Sequence, residues 1–235
     1  MKDIAIILAA AGKSTRFKDP FFKKVFTLAS GKPVWQHSAQ LFAEHPRVGQ
    51  IILTISAEDR ELVQEKFSGN LQILGVEVVI GGEERFHSIR NALEKIRPDM
   101  KLIGVHDAAR PCLTKNSFDA LVAVADRTGA AILAAPIRAT VKRCGSNNAI
   151  TETVARDGLW QAQTPQLFKA AILKGAYAKL RGKPTDDAQV VEESGVSVVC
   201  VEGPETNIKI TTKEDLRVAE LFLKIPQRPR DNPFF

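Results

Sequence analysis

Residues 2–16 read KDIAIILAAAGKSTR, an apolar run that passes into small residues and then into basic ones. The apolar part predicts a buried strand over Lys2–Leu8, and the small residues predict a loop directly after it. In α/β proteins, ligands bind at the carboxyl ends of parallel strands, where backbone N–H groups of such a loop can approach phosphate oxygens. The stretch therefore favours an α/β fold with a ligand site after its first strand.

The loop matches neither of two common phosphate-binding motifs. Gly12-Lys13-Ser14 resembles the end of a P-loop, but Ile7 occupies the position where that motif requires its first glycine. Gly12 is also the only glycine here, whereas the turn that binds a dinucleotide has three. The sequence therefore argues against a P-loop NTPase and against an NAD-dependent dehydrogenase. A signal peptide is not expected either, because the run is short and Asp3 precedes it.

Short β-branched runs alternate with segments of helical period along the rest of the chain, which is typical of βαβ units and a mostly parallel sheet. Further strands are predicted over Gln50–Ile55, Val76–Ile80, Lys101–His106, Ala130–Ala135 and Val196–Glu202. Helices are predicted over Pro33–Glu44, Ala57–Phe67, Arg85–Ile96, from a cap at Thr114, Lys169–Leu180, Thr185–Glu193 and Lys213–Leu223. Gly69-Asn70 is expected to close the second of these helices.

A hairpin interrupts this alternation. Its two strand-like pieces, Arg138–Cys144 and Ala149–Ala155, flank the turn sequence Gly145-Ser146-Asn147-Asn148. We therefore predict a single domain over residues 1–224, with 137–156 as an inserted β-arm. The proline-rich segment 225–235 is predicted to be a loose tail.

Composition narrows the classes of function. The chain has 235 residues, with 33 Lys and Arg against 27 Asp and Glu, and is long enough to bury a core without disulfides. Its cysteines, Cys112, Cys144 and Cys200, form no C-x-x-C pair, so we expect neither a disulfide framework nor a zinc site and favour a reducing, cytoplasmic compartment. No stretch approaches the ~20 apolar residues of a membrane span, so no membrane partner is expected.

Part of the positive surplus behind the net charge of +6 is clustered in one segment. Lys13, Arg16, Lys18, Lys23 and Lys24 follow the small-residue loop closely. A module that binds nucleic acid would instead spread basic residues along an extended face and add aromatic residues that stack on bases. The clustering therefore favours a small anionic ligand and makes a nucleic-acid-binding module a remote alternative.

Six further segments contain residues suited to chemistry: GGEERFHS at 81–88, HDAARPC at 106–112, IRATVK at 137–142, TVARDGLW at 153–160, QTPQ at 163–166 and NIKIT at 207–211. Asp107 follows a predicted strand and faces the basic cluster, which suits a ligand of Mg²⁺, an ion that takes few carboxylates together with phosphate oxygens and water. A turn or helix-cap role for Asp107 is the alternative.

Together these segments closely resemble the 2-C-methyl-D-erythritol 4-phosphate cytidylyltransferases, from the first strand to the last helix. HDAARP, TPQ and NIKIT in that order are far more specific than any one motif alone. The resemblance implies a Rossmann-like nucleotidyltransferase body, with a mixed, mostly parallel sheet, and an extended β-arm through which two chains form a homodimer. It also implies transfer of the cytidylyl group from CTP to methylerythritol phosphate, with Mg²⁺, in isoprenoid precursor biosynthesis. A related ribitol 5-phosphate cytidylyltransferase, with a different acceptor pocket, is the alternative.

The resemblance also assigns roles to residues. Arg16 and Lys24 would stabilise the transition state, and Arg156 and Lys209 would hold the phosphate of the acceptor. Contacts to CTP are implied for Ala10, Ala11, Gly12, Gly82, Ser88, Asp107 and Ala108. Asp107 would also hold Mg²⁺. Contacts to the polyol are implied for Arg110, Thr140 and Thr164. The chain departs from the family pattern at two places. Lys23-Lys24-Val25 stands where Pro-Lys-Gln is common, which leaves Lys23 as an alternative to Lys24. Ala139 stands where an acidic residue often precedes the threonine that corresponds to Thr140.

Overall fold

The computed structural model describes residues 1–17 and 23–225. Its strands are β1 (Ile4–Ala9), β2 (Leu28–Ala29), β3 (Lys32–Pro33), β4 (Val48–Ile55), β5 (Val76–Ile80), β6 (Leu102–Asp107), β7 (Ala130–Pro136), β8 (Val141–Cys144), β9 (Ile150–Val154), β10 (Trp160–Lys169) and β11 (Val199–Glu202). Its α-helices are α1 (Val34–Glu44), α2 (Arg60–Leu74), α3 (Arg85–Leu93), α4 (Lys115–Thr128), α5 (Ala170–Lys179), α6 (Asp187–Glu193) and α7 (Lys213–Lys224).

Seven strands form one sheet in the order β11-β7-β10-β6-β1-β4-β5. Neighbouring strands are parallel except at β10, which runs antiparallel to both β6 and β7. The prediction of a mixed, mostly parallel sheet is therefore confirmed. The carboxyl ends of β1, β4, β5 and β6 meet at the same edge of this sheet.

Helices cover both faces of the sheet, because side chains along a strand alternate between its faces. Ile4, Ile6 and Leu8 of β1 belong to a buried cluster with residues of α1, α2 and α4. Ala5 and Ile7 belong to a second cluster, with residues of α3, α5 and α6. The central strands are thus buried on both sides, which explains why β1 is apolar throughout rather than alternating.

One central strand was not predicted. The structure has β10 over Trp160–Lys169, between the predicted β-arm at 137–156 and the helix predicted from Lys169, where no element was predicted. Pro165 lies in this strand, and proline disfavours a central strand because it cannot donate to the ladder. The register of β10 against β7 shifts between Ala162 and Gln166, so the proline falls where regular pairing is interrupted.

The second predicted helix was correct in kind but wrong in length. A 3₁₀ turn occupies Ala57–Asp59, and α2 continues through Gly69-Asn70 to Leu74. It ends at Gly75, whose φ of 61° lies in the left-handed region that ends many helices. The other predicted elements are present, with ends that differ by a few residues.

The hairpin consists of β8 and β9, which pair with each other in a separate two-stranded sheet. Most of its residues are exposed. Of the predicted tail, only Ile225 lies within the described residues, and Lys18 of the basic cluster lies outside them. Among the helices that the structure describes, none is long and apolar enough to cross a membrane.

Candidate active site

A cleft of about 990 Å³ opens at the carboxyl ends of the parallel strands. Four connections line it: the small-residue loop after β1, the turn after β4, Gly81-Gly82 after β5 and Asp107 at the end of β6. Ligands of open α/β sheets bind at this edge, in the crevice outside the strand ends. The cleft therefore lies where the first strand and its loop predicted a site.

The wall beside the small-residue loop consists of tightly packed backbone. A Cβ atom on Gly81 would lie 2.5 Å from the Ser88 Oγ and 2.8 Å from the Ala11 Cβ, so only glycine fits there. The Ser88 Oγ accepts a hydrogen bond from the Gly82 N–H at 3.1 Å, which fixes the turn to the start of α3. All five small or hydroxyl residues predicted to meet the nucleotide here line the cleft: Ala10, Ala11, Gly12, Gly82 and Ser88.

The charged side of the cleft is organised around Asp107. Its Oδ2 lies 2.8 Å from the Lys209 Nζ and 3.6 Å from the Arg110 Nε. Its Oδ1 lies 3.4 Å from the Arg85 Nε. Burial alone would raise the pKa of Asp107, but the charges of Arg85, Lys209 and Arg110 outweigh that effect and hold the pKa well below its ordinary value. The carboxylate is therefore ionised and surrounded by cations.

The side chains of the adjacent lysines Lys23 and Lys24 lie in different surroundings. Lys24 lines the cleft, and burial, reinforced by the positive charges of Lys209 and Arg16, lowers the pKa of its ammonium to about 8. The Lys23 Nζ instead lies 2.5 Å from Glu58 Oε1 and 2.8 Å from Asp59 Oδ2. Burial lowers the pKa of Lys23, but hydrogen bonds to Asp59 and Glu58 outweigh it and leave that pKa above its ordinary value. The geometry therefore favours Lys24 as the lysine that meets a ligand.

A buried polar network supports Asp107 from behind. The Thr164 Oγ1 accepts from the Asp107 N–H at 3.0 Å and lies 3.1 Å from the His106 Nδ1. Burial lowers the pKa of His106 to about 4, so its ring is neutral at physiological pH. The neutral ring lies within hydrogen-bond distance of both Thr164 and the Arg110 carbonyl oxygen, at 3.2 Å. This network fixes the end of β6 and hence the position of the carboxylate.

Arg110 and Thr164 belong to this supporting layer. The Arg110 Nη1 donates to the Asn207 carbonyl oxygen at 2.8 Å, and the Asn207 Nδ2 donates to the Thr164 carbonyl oxygen at 2.9 Å. The motifs at 106–112, 163–166 and 207–211 are therefore neighbours in space. Ala108 is fully buried, and its N–H donates to the Ala9 carbonyl oxygen at 3.2 Å.

Six predicted site residues do not line the cleft of their own chain. Ala108, Arg110 and Thr164 are buried behind it, and the other three are exposed. Arg16 is exposed at the end of the small-residue loop, yet near enough to Lys24 to affect its pKa. Thr140 is exposed just before β8. Arg156 is exposed after β9, where its Nη1 donates to the Arg138 carbonyl oxygen. The body therefore brings together Lys24, Asp107 and Lys209, while Thr140 and Arg156 stay with the hairpin.

One cleft residue received no role from the sequence. Arg85 lines the cleft, and its Nη2 lies 2.7 Å from Asp187 Oδ2 while its Nε faces Asp107. Its segment, GGEERFHS, was singled out, but Arg85 itself was predicted only to begin a helix. The sequence feature that could have identified Arg85 as a cleft residue is its position shortly after a glycine turn at the carboxyl end of a strand.

A metal ion in this cleft would find few protein ligands among the described residues. Within residues 1–17 and 23–225, no three His, Cys, Asp or Glu side chains are grouped so that they could hold a metal ion. Asp107 is a single carboxylate among cations that attract phosphate. This donor set fits Mg²⁺ that takes its other ligands from phosphates and water, and it does not fit a metal caged by protein side chains.

The comparisons with known proteins agree with this geometry. The family model described as 2-C-methyl-D-erythritol 4-phosphate cytidylyltransferase matches residues 4–225. The chain is 38% identical to the enzyme of that name from Rhodopirellula baltica, over 94% of each chain, and 38% identical to that from Solibacter usitatus, over 94% of this chain and 96% of the relative. The crystal structure of the Thermus thermophilus enzyme superposes with a TM-score of 0.80 at 28% identity, over 96% of this chain and 100% of that one. The chain therefore belongs to the 2-C-methyl-D-erythritol 4-phosphate cytidylyltransferase family.

Proposed function

We propose that this cleft transfers the cytidylyl group of CTP to 2-C-methyl-D-erythritol 4-phosphate, giving 4-diphosphocytidyl-2-C-methyl-D-erythritol and pyrophosphate for isoprenoid biosynthesis. The observation that carries the proposal is the contact of Arg85, Arg110 and Lys209 with the carboxylate of Asp107, in a cleft that Lys24 and a wall of small residues also line. This arrangement offers fixed positive charge to phosphates and space for a base and ribose.

The chemistry needs charge rather than a general base. An oxygen of the acceptor phosphate, which is already an anion, attacks the α-phosphorus of CTP, and the bond from that phosphorus to the β-phosphate oxygen breaks. Two anions must meet, and negative charge develops on the oxygens of the five-coordinate phosphorus. Lys24 and Arg16 stabilise that charge, as positioned cations do in phosphoryl transfer.

Magnesium is part of the proposal. Asp107 would hold Mg²⁺ together with phosphate oxygens of CTP, and the bound ion would neutralise phosphate charge. The cations around Asp107 serve the same end, because they attract the triphosphate to the carboxylate.

The acceptor site is proposed to be shared between two chains. Lys209 and Arg156 grip the acceptor phosphate, and Thr140 contacts the polyol. Arg110 and Thr164 act on the acceptor site from the buried layer behind Asp107. Because Thr140 and Arg156 lie on the hairpin and outside the cleft of their own chain, they act in the cleft of a second copy in a homodimer. Ile150 and Trp160 support this arrangement, since large apolar side chains that are 63% and 42% exposed favour a protein partner.

Selectivity for cytosine is proposed to come from size. The wall formed by Ala10, Ala11, Gly12, Gly82 and Ser88, with Ala108 behind it, leaves room for a pyrimidine read by backbone groups and excludes a purine. The proposal also places the enzyme in the cytoplasm, which agrees with three cysteines that are all free of disulfides.

The test is pyrophosphate release by the purified protein with Mg²⁺ and methylerythritol phosphate, comparing CTP with UTP and ATP. We expect release with CTP alone among the three, and only in the presence of the acceptor. Equal rates with the three nucleotides would refute cytosine selectivity. Faster release with ribitol 5-phosphate than with methylerythritol phosphate would instead favour the alternative acceptor.

A further inference from the structure

The fold buries a carboxylate that the proposed reaction does not use. Asp187, the first residue of α6, is completely buried. Its Oδ2 lies 2.7 Å from the Arg85 Nη2, and its Oδ1 accepts a hydrogen bond of 2.6 Å from the Tyr177 hydroxyl. Tyr177 is itself only 3% exposed. A buried tyrosine and a buried aspartate are therefore both committed to one arginine of the cleft.

Stability alone is a weak reason for this arrangement. Removing a carboxylate from water costs several kcal/mol, and apolar residues of similar volume often stabilise a protein at least as well as a buried ion pair. Tyr177 belongs to an apolar cluster that includes Ala188, Val190 and Val191, the neighbours of Asp187 in α6. An apolar residue at position 187 would therefore fit these surroundings and avoid the cost of burying a carboxylate.

The carboxylate is also fixed relative to Asp107. Gln166 of β10 pairs in register with Val105 of β6, close to the end of that strand. The Gln166 Oε1 accepts from the Ala188 N–H at 2.8 Å, and its Nε2 donates to Asp186 Oδ2 at 2.8 Å. One side chain of the sheet thus anchors the start of α6, and with it Asp187, at a set distance from Asp107.

The Arg85 guanidinium lies between the two carboxylates and nearer to Asp187, at 2.7 Å, than to Asp107, at 3.4 Å. Without Asp187, Arg85 would be free to close a two-pronged ion pair on Asp107. Such a pair would occupy the carboxylate oxygens that the proposed function assigns to the nucleotide complex. Asp187 thus keeps Arg85 near Asp107 and leaves the Oδ1 without a close pair, while the Oδ2 lies 2.8 Å from the Lys209 Nζ.

We propose that Asp187 and Tyr177 hold the Arg85 guanidinium beside Asp107, so that Arg85 orients this carboxylate for the nucleotide without occupying it. Arg85 and Asp187 are then positioning residues. This inference deepens the proposed function and rests on it, because it gives Asp107 a part in binding CTP.

The test is calorimetric binding of CTP in Mg²⁺ without acceptor, so that no turnover occurs. Asp187→Asn, which keeps the shape but removes the charge, should weaken binding by about tenfold, the scale at which contacting charges are coupled. The double variant Asp187→Asn with Arg85→Met should bind CTP more tightly than Asp187→Asn alone, because the freed arginine is gone. A merely structural role predicts the reverse, since two losses of packing add.

Two further variants keep the test decisive. Tyr177→Phe preserves the ring and should weaken CTP binding by about threefold, and it carries the test if Asp187→Asn fails to fold. Asp119→Asn is the matched control, because Asp119 also loses an ion-pair partner, Lys115, but lies on α4, away from the cleft. It should bind CTP like the unmodified protein.

The outcomes separate the inference from the function on which it rests. If Asp187→Asn and Tyr177→Phe have lower melting temperatures but unchanged CTP affinity, the positioning role is wrong and the proposed function stands. If the unmodified protein does not bind CTP, the proposed function fails and the inference falls with it.

Discussion

The cleft and the hairpin hold their functional side chains in opposite ways. In the cleft, Asp107 is 7% exposed, contacts three cations and rests on a buried network through Thr164. On the hairpin, Arg156 is exposed, and β8 and β9 pair only with each other among the described strands. A group that must stay fixed during the reaction has its support within the body, whereas Arg156 is held by a contact with Arg138, which is itself exposed.

The ion pair within the hairpin does not fix it as firmly as the cleft is fixed. Arg143 and Glu152 pair across the hairpin at 2.5 Å, but their side chains are 67% and 51% exposed. Exposed pairs of this kind stabilise a protein by ~0–1 kcal/mol, because water and salt screen them. The hairpin therefore gains a defined position for Arg156 only by packing on something else, which the proposed dimer supplies.

The largest effect is expected in the cleft. Lys24→Ala should lower kcat by about 10²–10³-fold, the loss measured when one positioned donor to a transition-state anion is removed. CTP affinity should fall much less, because the wall of small residues and Asp107 remain. Steady-state kinetics with isothermal calorimetry separates the two quantities, and a variant with normal kcat would show that Lys24 does not act on the transition state.

The next effect tests the hairpin. Arg156→Ala should lower kcat/KM for methylerythritol phosphate by about 10²-fold, as expected for the loss of a charged partner of a phosphate, while CTP binding stays unchanged. Arg143→Ala is the matched control, since Arg143 is an exposed arginine of the same hairpin with no assigned role. Equal losses in both variants would indicate that general damage to the hairpin, rather than phosphate binding, causes the effect.

The pH dependence sharpens the account of Lys24. Its pKa of about 8 means that the ammonium is charged below pH 8 and loses its proton as the pH rises through that value. Activity needs the cation, so kcat/KM for CTP should decline above pH 8, by about tenfold per pH unit. Lys24→Arg should retain the charge and move this decline to higher pH, whereas an unchanged profile would assign the decline to another group.

A smaller effect is expected from the neighbouring lysine. Lys23 binds Glu58 and Asp59 beside the cleft and so fixes the backbone that carries Lys24. Lys23→Ala should therefore lower kcat by only a few fold, within the ~1 kcal/mol typical of a lost hydrogen bond. Kinetics of Lys23→Ala and Lys24→Ala in parallel decide the matter: if Lys23→Ala has the greater loss, the two lysines have been assigned the wrong roles.

The fold was largely predictable where local signals agree with the tertiary structure. The apolar run of β1 and the cap at Thr114, whose Oγ1 accepts from the Ser117 N–H at 3.2 Å, both lead to the predicted elements. β10 was not predictable in this way, because Pro165 and the scattered glutamines of its sequence argue against a central strand. Pairing with β6 and β7, which no local pattern reveals, outweighs those preferences.

The candidate site divides in the same way. The loop, the glycine turn and Asp107 lie together because parallel strands bring their carboxyl ends to one edge, which the sequence pattern predicts. The pair of Arg85 with Asp187 was not predictable, since the two residues are far apart in the chain and each alone reads as a surface charge. Only the tertiary packing, which brings the start of α6 to the start of α3, shows that they form an ion pair.

The most direct measurement combines the two regions in one dimer. Lys24→Ala and Arg156→Ala chains, each inactive alone, are co-expressed with different tags, and the mixed dimer is isolated and assayed for pyrophosphate release from CTP and methylerythritol phosphate. Because the mixed dimer joins one intact cleft to one intact hairpin, we predict about half the activity of the unmodified dimer. A mixed dimer as inactive as its two parents would contradict the claim that the cleft of one chain and the hairpin of another form a single active site.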